Sequence, residues 1–237
     1  MELGRDTAIT WLGHATIDIR TPGGKRVLLD PWLDGNPACP DDQRTRDACD
    51  ILAVTHGHFD HIHDAVPVAK QHSPQVVGIP ELLHWLESKG VENANGFNKG
   101  GTQTVDGVGF TMTHAVHSCG ITDGDQIVYG GEACGFVVTM ENSFKVYFAG
   151  DTALFGDMKL IGELWAPDLA ILPIGDHFTM DPKAAAYALR LLGCTQVLPV
   201  HYGTFPLLTG TPAALKDAAS DIAGLQVFEL SPGETLR

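Results

Sequence analysis

The sequence predicts an α/β protein in which two β-sheets pack face to face and helices cover their outer surfaces. Three observations lead to this fold class. Short β-like runs are grouped in both halves of the chain, helical segments lie between them, and 237 residues, 44% of them hydrophobic, are enough for a sizeable core. Periodicity alone does not separate this arrangement from other α/β folds. We expect residues 1–237 to form a single domain.

The first half begins with short strands separated by glycine and proline turns, a pattern typical of a β-meander. Asp30 and Pro31 end this meander, and a polar loop follows before the next strand. Further along, Pro80 opens a helix whose apolar residues share one face, and Gly90 ends it. The strands predicted in this half are 8–12, 16–20, 26–29, 51–54 and 76–79, and the helices are 64–72 and 82–88.

The second half predicts strands between glycine-rich turns, followed by a regular alternation of helices and strands. Its clearest helix has Asp181 as N-cap, Pro182 in the first turn and Gly193 after its end. The strands expected in this half are 111–115, 135–140, 145–148, 169–173, 197–200 and 226–230, and the helices are 157–165, 182–192 and 212–222.

Charge and cysteine content restrict the partners and the cellular compartment. Fifteen Lys and Arg residues against 29 Asp and Glu give a net charge of −14, which repels nucleic acid and anionic membranes. The sequence has no secretory signal pattern and no apolar run of about 18 residues that would span a bilayer. Its five cysteines are scattered, as expected for reduced thiols. We therefore expect a cytoplasmic protein that acts on a small molecule, binds neither nucleic acid nor membrane, and is compatible with a homo-oligomer.

The segment THGHFDH directly follows a predicted apolar strand. Alternate residues of an extended chain project to the same side, so His56 and His58 can bind one cation, and Gly57 between them permits an unusual backbone conformation. Asp60 and His61 follow where the chain starts to turn, so they can serve a second cation nearby. Imidazole and carboxylate groups without cysteine suit zinc, iron or manganese, and a closed structural zinc site is not expected.

The pattern HxHxDH after an apolar strand resembles the signature of the metallo-β-lactamase superfamily. That resemblance implies a four-layer αββα sandwich with metal ions at one edge, between its halves. It also implies ligands from later loops, and three residues match: His117 in THAVHSCG, Asp151 in YFAGDT and His201 in VLPVHYG. The implied ligands of one ion are His56, His58 and His117, those of the other are Asp60, His61 and His201, and Asp151 lies between the two ions.

The segments GHAT, LLDPWL, HSCG, LPIGDHFTMDP and HYGTFP extend the resemblance over nearly the whole chain. They resemble a sub-family of bacterial and archaeal metal-dependent hydrolases in a clan of lactonases and phospholipases D, a likeness that does not by itself name a substrate. The resemblance makes His14 and Tyr202 candidates for substrate binding. It makes Asp30 and His177 candidates for catalysis, together with Asp60.

Each of these added residues also has a structural alternative. Asp30 resembles an aspartate that approaches the second metal ion in the phospholipase D relative, or it accepts backbone N–H bonds in the turn that ends the meander. His14 and His177, taken alone, would be hydrogen-bonded structural histidines. Tyr202 either donates its hydroxyl group to a substrate oxygen or packs. His63 stands where the family pattern has a small residue, and we expect it to face solvent.

Two cations that share a carboxylate would also share a water molecule, whose pKa falls to about 7 on metal coordination. The preferred interpretation is a dinuclear metal-dependent hydrolase that cleaves an ester-type bond of a small molecule, a lactone or a phosphoester. Zinc is the favoured metal, with manganese and iron as alternatives. An oxidoreductase of the same fold and a non-catalytic metal-binding protein are the rival interpretations. The sequence identifies neither the substrate nor the general acid for the leaving group.

Overall fold

Two seven-stranded β-sheets lie face to face in the computed structural model, which describes residues 6–237. The strands of the first sheet are β1 (Ala8–Trp11), β2 (Ile17–Arg20), β3 (Arg26–Leu29), β4 (Ile51–Ala53), β5 (Gln75–Gly78), β6 (Ala94–Gly96) and β16 (Thr235–Leu236). They are ordered β16-β1-β2-β3-β4-β5-β6. Pairing is antiparallel from β16 to β3 and parallel from β3 to β6.

The second sheet has the same distribution along the chain, with its antiparallel strands first and its parallel strands after them. Its strands are β7 (Thr102–Val105), β8 (Val108–His114), β11 (Cys134–Thr139), β12 (Lys145–Phe148), β13 (Leu169–Pro173), β14 (Gln196–Val200) and β15 (Gln226–Val227), ordered β15-β14-β13-β12-β11-β8-β7. The strands from β12 to β15 are parallel, and the pairs from β7 to β12 are antiparallel. A separate hairpin is formed by β9 (Gly120–Asp123) and β10 (Gln126–Tyr129).

Side-chain alternation in the second sheet shows how the layers pack. Phe136 and Phe148 belong to a core shared with the first sheet, whereas Val137 and Tyr147 pack with helices outside. The helices are α1 (Phe59–Ile62), α2 (Ala65–His72), α3 (Pro80–Ser88), α4 (Met158–Trp165), α5 (Pro182–Leu192) and α6 (Pro212–Ala218). Buried residues of α2 and α3 join the core of the first sheet, and those of α4, α5 and α6 cover the second. The order of layers confirms the αββα fold class.

Helix α5 begins and ends where the sequence predicts. The side chain of Asp181 accepts a hydrogen bond from the backbone N–H of Ala184 at 2.7 Å, which satisfies a donor at the helix start. Gly193 takes the left-handed conformation that ends the helix. Strand β13 also has the predicted bounds.

The structure departs from the sequence prediction mainly at short elements. Helix α6 ends at Ala218, earlier than predicted, because Arg190 donates a hydrogen bond to the Ala218 carbonyl at 2.9 Å and pairs with Asp221. Strand β15 pairs over two residues only. Strands β6, β7, β9, β10 and β16 are not among the predicted strands. Strand β16 forms because Leu236 pairs with Ile9 at the other end of the chain, which no local pattern records.

The strand directions place the candidate residues at one edge of the sandwich. The segment THGHFDH follows β4, Asp151 follows β12, and His201 follows β14. His117 follows β8, which runs in the same direction as β12 because both are antiparallel to β11. Carboxyl ends of parallel strands are where α/β sheets place their binding residues.

Two further observations concern the chain as a whole. No helix within residues 6–237 is long and apolar enough to cross a membrane. All five cysteines are buried free thiols. The thiol state agrees with the expectation from their scattered spacing.

Candidate metal centre

Three imidazole nitrogens come together where the loop after β4 approaches the loop after β8. His56 Nε2 lies 3.1 Å from His58 Nδ1, and His117 Nε2 lies 3.2 Å from the same atom. Two ligands of a tetrahedral zinc ion are about 3.3 Å apart when each metal–nitrogen bond is about 2.0–2.1 Å. The three nitrogens therefore have the spacing of ligands to one cation.

Helix α1 directs Asp60 and His61, in the second half of the motif, away from the ligand positions of His56 and His58. His58 is the residue before the helix, and the backbone N–H of His61 donates to the His58 carbonyl at 3.0 Å. Asp60 Oδ2 then lies 3.8 Å from His61 Nε2 and 3.7 Å from His201 Nε2. These three residues form a second group. The division within the motif follows from the change from extended chain to helix.

Asp151 lies between the two groups. Its Oδ2 is 3.1 Å from His201 Nε2 and 3.3 Å from His61 Nε2 in the second group. The same oxygen is 3.6 Å from His117 Nε2 and 3.9 Å from His56 Nε2 in the first. One carboxylate oxygen thus lies close to four imidazoles, as a carboxylate shared by two cations would. The structure brings together all seven residues that the sequence selects as ligands.

Several buried atoms of the cluster have no hydrogen-bond partner among the described residues. They include His61 Nε2, His201 Nε2 and Asp151 Oδ1. An unpaired polar atom in a protein interior costs about 1–3 kcal/mol. Three such atoms in one cluster indicate a bound ligand that contacts all of them. A divalent cation fits, because imidazole nitrogens and carboxylate oxygens are its usual ligands.

The three histidines of the first group are disposed to be neutral. Burial lowers the pKa of His56 well below its usual value, and the neighbouring His61 lowers it further. Burial also lowers the pKa of His58 and of His117. A neutral imidazole has the free lone pair that a metal ion needs, so this group is ready to bind a cation at neutral pH.

The histidines of the second group are held in their charged form by carboxylates. Burial acts to lower the pKa of His201, but Asp151 raises it to about 9. Burial acts on His61 in the same way, and Asp151 together with Asp30 and Asp60 raises its pKa well above the usual value. In return these histidines hold the pKa of Asp151 well below its usual range, although burial alone would raise it. A cation must therefore displace protons from this group to bind.

Asp30 lies behind the ligands, away from the cavity. Its Oδ1 accepts the Thr55 backbone N–H at 2.7 Å, and its Oδ2 accepts the Thr55 hydroxyl at 2.6 Å and the His61 Nδ1–H at 2.7 Å. The Thr55 hydroxyl in turn lies 3.0 Å from His56 Nδ1. Both oxygens of Asp30 are therefore occupied, and the residue orients a histidine in each group. These contacts favour a positioning role through His61 over the catalytic role predicted for Asp30, which stays a prediction.

His14 is placed behind Asp60. Its side chain is fully buried, and its Nε2–H donates to Asp60 Oδ2 at 2.8 Å. Burial lowers the pKa of His14 to about 4, so the ring is neutral at physiological pH. A left-handed backbone lets its carbonyl accept the N–H groups of His201 and the Trp11 indole, each at 2.9 Å. The geometry therefore favours orientation of Asp60 over the substrate contact predicted for His14, which stays a prediction.

Three other residues singled out by the sequence lie apart from the ligand cluster. His177 is exposed in the loop after β13, with its ring edge-on to Phe178, so the geometry does not favour the catalytic role predicted for it. Tyr202 stacks on Trp11 with ring centroids 5.2 Å apart, and burial raises its pKa to about 12. The structure therefore favours packing over substrate contact for Tyr202. His63 is 45% exposed and faces solvent, as expected.

Sequence reasoning misses two features of the loops around the cluster. A Cβ atom at Gly57 would collide with the side chain of Ile121 in β9, so glycine is needed for space and not for an unusual backbone angle. Ser118 Oγ lies 3.2 Å from His58 Nε2, and the residue lines the space in front of the ligands. Its position next to His117 is the one sequence signal that could have found it.

A cavity of about 740 Å³ opens in front of the cluster. Ligands of both groups form its floor, and Ser118 and Thr122 add hydroxyl groups to its side. None of the described residues that line it is Lys or Arg. The remainder of its wall is apolar and consists of Phe59, Phe178, Phe205, Pro206 and Leu207.

Comparison with known sequences identifies the family. Residues 25–202 match the family described as the β-lactamase superfamily domain. The chain is 57% identical over 227 residues to a UPF0173 metal-dependent hydrolase of Koribacter versatilis, with 96% of each chain covered. It is 51% identical over 240 residues to a UPF0173 metal-dependent hydrolase of a Roseiflexus species, with 99% of this chain and 98% of the relative covered.

Solved structures agree with this relationship. Igni18, a metallo hydrolase from the archaeon Ignicoccus hospitalis, is 33% identical with a TM-score of 0.85 over 97% of each chain. CmlA, a diiron β-hydroxylase from Streptomyces venezuelae, shares only the fold, at 16% identity and a TM-score of 0.76 over 98% of this chain and 54% of its own. The fold therefore does not by itself choose between hydrolysis and oxidation. The sequence relationships do: this chain belongs to the UPF0173 metal-dependent hydrolases of the β-lactamase superfamily.

Proposed function

We propose that this hydrolase binds two divalent cations and cleaves an ester-type bond, a lactone or a phosphoester, in a small molecule. The position of Asp151 carries the proposal. Its Oδ2 lies 3.1–3.9 Å from imidazole nitrogens of two separate groups. A site for one cation needs one group of ligands, whereas a carboxylate between two groups suits a pair of ions.

The donor set favours zinc, with manganese and iron as alternatives. Five imidazoles and two carboxylates form the cluster. Imidazole suits zinc and iron, and carboxylate also suits manganese. Two such cations would supply a bound water whose pKa is close to 7, so that hydroxide is available at neutral pH.

Hydrolysis also requires a proton to move. The water oxygen forms a bond to the electrophilic centre, the bond to the leaving oxygen breaks, and one proton passes from the water to that oxygen. Asp60 lines the cavity, and His14 fixes its Oδ2 at 2.8 Å. We assign to Asp60 the orientation of the water and the transfer of this proton. Ser118, whose hydroxyl group also lines the cavity, is the candidate donor to a polar group of the substrate.

Several expectations about the setting stay predictions from the sequence. They are a single working domain over residues 1–237, a cytoplasmic location, a small-molecule substrate, and the absence of nucleic-acid and membrane partners. A homo-oligomer is compatible with them. The cavity volume of about 740 Å³ supports the small-molecule substrate, because pockets for such ligands are typically about 300–1,000 Å³.

Activity of the zinc- or manganese-loaded protein on lactones, phosphomonoesters, phosphodiesters and β-lactams tests the proposal. We expect Asp151→Ala and His201→Ala each to lower turnover by about 100-fold or more, since each removes a ligand or the shared carboxylate. The exposed residues Asp157 and His84 provide matched controls, and Asp157→Ala and His84→Ala should retain activity. Turnover that survives both ligand substitutions would contradict the proposal. Iron-dependent consumption of oxygen would favour the rival oxidoreductase.

A further inference from the structure

We propose that the substrate is an uncharged carboxylic ester or lactone carrying an apolar chain or ring, and not a phosphate ester. This inference rests on the proposed hydrolase function and narrows its substrate class. It is drawn from the residues that surround the ligands and from their charge.

Segments that follow three different strands each place an apolar side chain at the cavity. Phe59 follows β4 and is 54% exposed, Phe178 follows β13 and is 51% exposed, and Leu207 follows β14 and is 53% exposed. None of the three is needed to complete the core. Exposed apolar side chains grouped around one cavity mark a binding surface, because isolated ones need no partner but clusters do.

The aromatic part of this wall is held in place before any ligand binds. Trp32, itself buried, contacts the ring of Phe59 edge-on at a centroid distance of 5.5 Å. It stacks on Phe205 with centroids 5.7 Å apart. A preformed apolar surface binds an apolar group more tightly because less conformational entropy is lost on binding.

The backbone around Phe178 adds an independent observation. Asp176 and His177 both have left-handed conformations, with φ of 67° and 55°, which residues other than glycine adopt uncommonly, Asp and His more often than most. The loop is tied to the ligand loop by a hydrogen bond from the Met180 N–H to the Thr152 carbonyl at 3.2 Å. Strain of this kind persists where surrounding structure imposes it, and here it directs a phenyl ring to the cavity.

The charge of the lining argues against an anionic substrate. No Lys or Arg is among the described residues that line the cavity, and the chain carries a net charge of −14. Phosphate groups in proteins are usually held by arginine, lysine or backbone N–H groups. Cations at the floor would bind oxygens of the scissile group, but a further charged oxygen of a phosphate ester would find no Lys or Arg among the described lining residues to pair with it.

Binding of n-alkyl hydroxamic acids of two to eight carbons to the zinc-loaded protein, measured by calorimetry, tests the inference without turnover. We expect affinity to rise about three- to fourfold for each added methylene group until the cavity is filled. Phe178→Ala should reduce this gain by about tenfold for the longest acid and little for the shortest. Leu164→Ala, at an exposed leucine of α4 outside the cavity lining, is the matched control and should behave as wild type. Affinity that does not change with chain length would overturn the inference.

Charge is tested by exchanging one residue of the wall. With aryl esters whose acyl chain ends in either a methyl or a carboxylate group, we expect wild type to prefer the methyl form by at least tenfold in kcat/KM. Leu207→Lys should reverse or remove this preference, and the volume-conserving Leu207→Met should keep it. Preference for the carboxylate form, or for phosphomonoesters, would overturn the inference while leaving the hydrolase proposal intact. Absence of turnover on every substrate would defeat the hydrolase proposal, and the hydroxamate series would still decide the inference.

Discussion

Replacement of Asp30 by asparagine tests how the buried carboxylate controls the metal ligands. Oδ2 of Asp30 accepts hydrogen bonds from the Thr55 hydroxyl and from His61 Nδ1–H, at 2.6 and 2.7 Å. In Asp30→Asn an amide N–H₂ group would occupy that position, so the bond to His61 would persist only if Nδ1 lost its proton and a ring proton lay on Nε2. That nitrogen faces the ligand cluster, and a protonated nitrogen does not bind a metal ion.

The expected magnitude follows from these contacts. Loss of a partner that orients a metal-bound histidine typically lowers metal affinity by about 10–100-fold, which corresponds to about 1.4–2.7 kcal/mol. The mismatched hydrogen bond between residue 30 and His61 should also lower the free energy of unfolding by about 1–3 kcal/mol. Each kcal/mol lowers the Tm of a chain of this size by about 2–4 °C.

Competition with a chromophoric chelator measures the affinity, and calorimetric unfolding of the metal-free protein measures the stability. Asp34→Asn is the matched control, because Asp34 lies on the same loop with its side chain exposed. We expect Asp30→Asn to bind zinc more weakly than wild type, and Asp34→Asn to bind zinc as tightly as wild type. A folded Asp30→Asn protein that binds zinc as tightly as wild type would refute the positioning role of Asp30.

Three further predictions concern protons and space. Because the pKa of His201 is raised to about 9, zinc binding at pH 7.5 should release at least one proton. The calorimetric heat of zinc binding should then depend on the ionisation enthalpy of the buffer. A heat that is the same in all buffers would contradict this prediction. The same raised pKa stabilises the metal-free fold below about pH 6.5, and this stabilisation is lost as pH rises through 9. The Tm of protein made metal-free with a chelator should therefore fall between pH 7 and pH 9.5. A constant Tm would count against the ion pair of His201 and Asp151. Gly57→Ala should lower the Tm by several degrees through its collision with Ile121, and Ile121→Ala in the same chain should recover part of the loss; equal Tm values for Gly57→Ala and wild type would show that the loop has room.

The ligand cluster could be predicted because HxHxDH resembles a family signature, and that resemblance implied the later ligands. His117, Asp151 and His201 each come shortly after a short apolar strand, and parallel strands bring their carboxyl ends to one edge. The division of THGHFDH could be predicted because extended chain gives way to helix α1 within the motif. The division of the motif thus rests on a local pattern, and the three later ligands rest on the resemblance.

The residues around the ligands could not be predicted, because their roles depend on distant contacts. Asp30 and His14 have bonding partners 31 and 46 positions away in the chain. Phe178 is an isolated apolar residue in a polar loop, and no periodicity marks it as the wall of a cavity. Strand β16 likewise exists only because it pairs with β1. Local pattern and family resemblance thus predict which groups bind metal, whereas tertiary structure decides what orients and encloses them.

The most direct test of the two-cation claim is anomalous X-ray scattering from crystals of the zinc-loaded protein. We predict two zinc peaks about 3.5–4 Å apart. One should lie against His56, His58 and His117, and the other against Asp60, His61 and His201. Asp151 should contact both ions. A single peak, or two peaks of which Asp151 contacts only one, would contradict the dinuclear account.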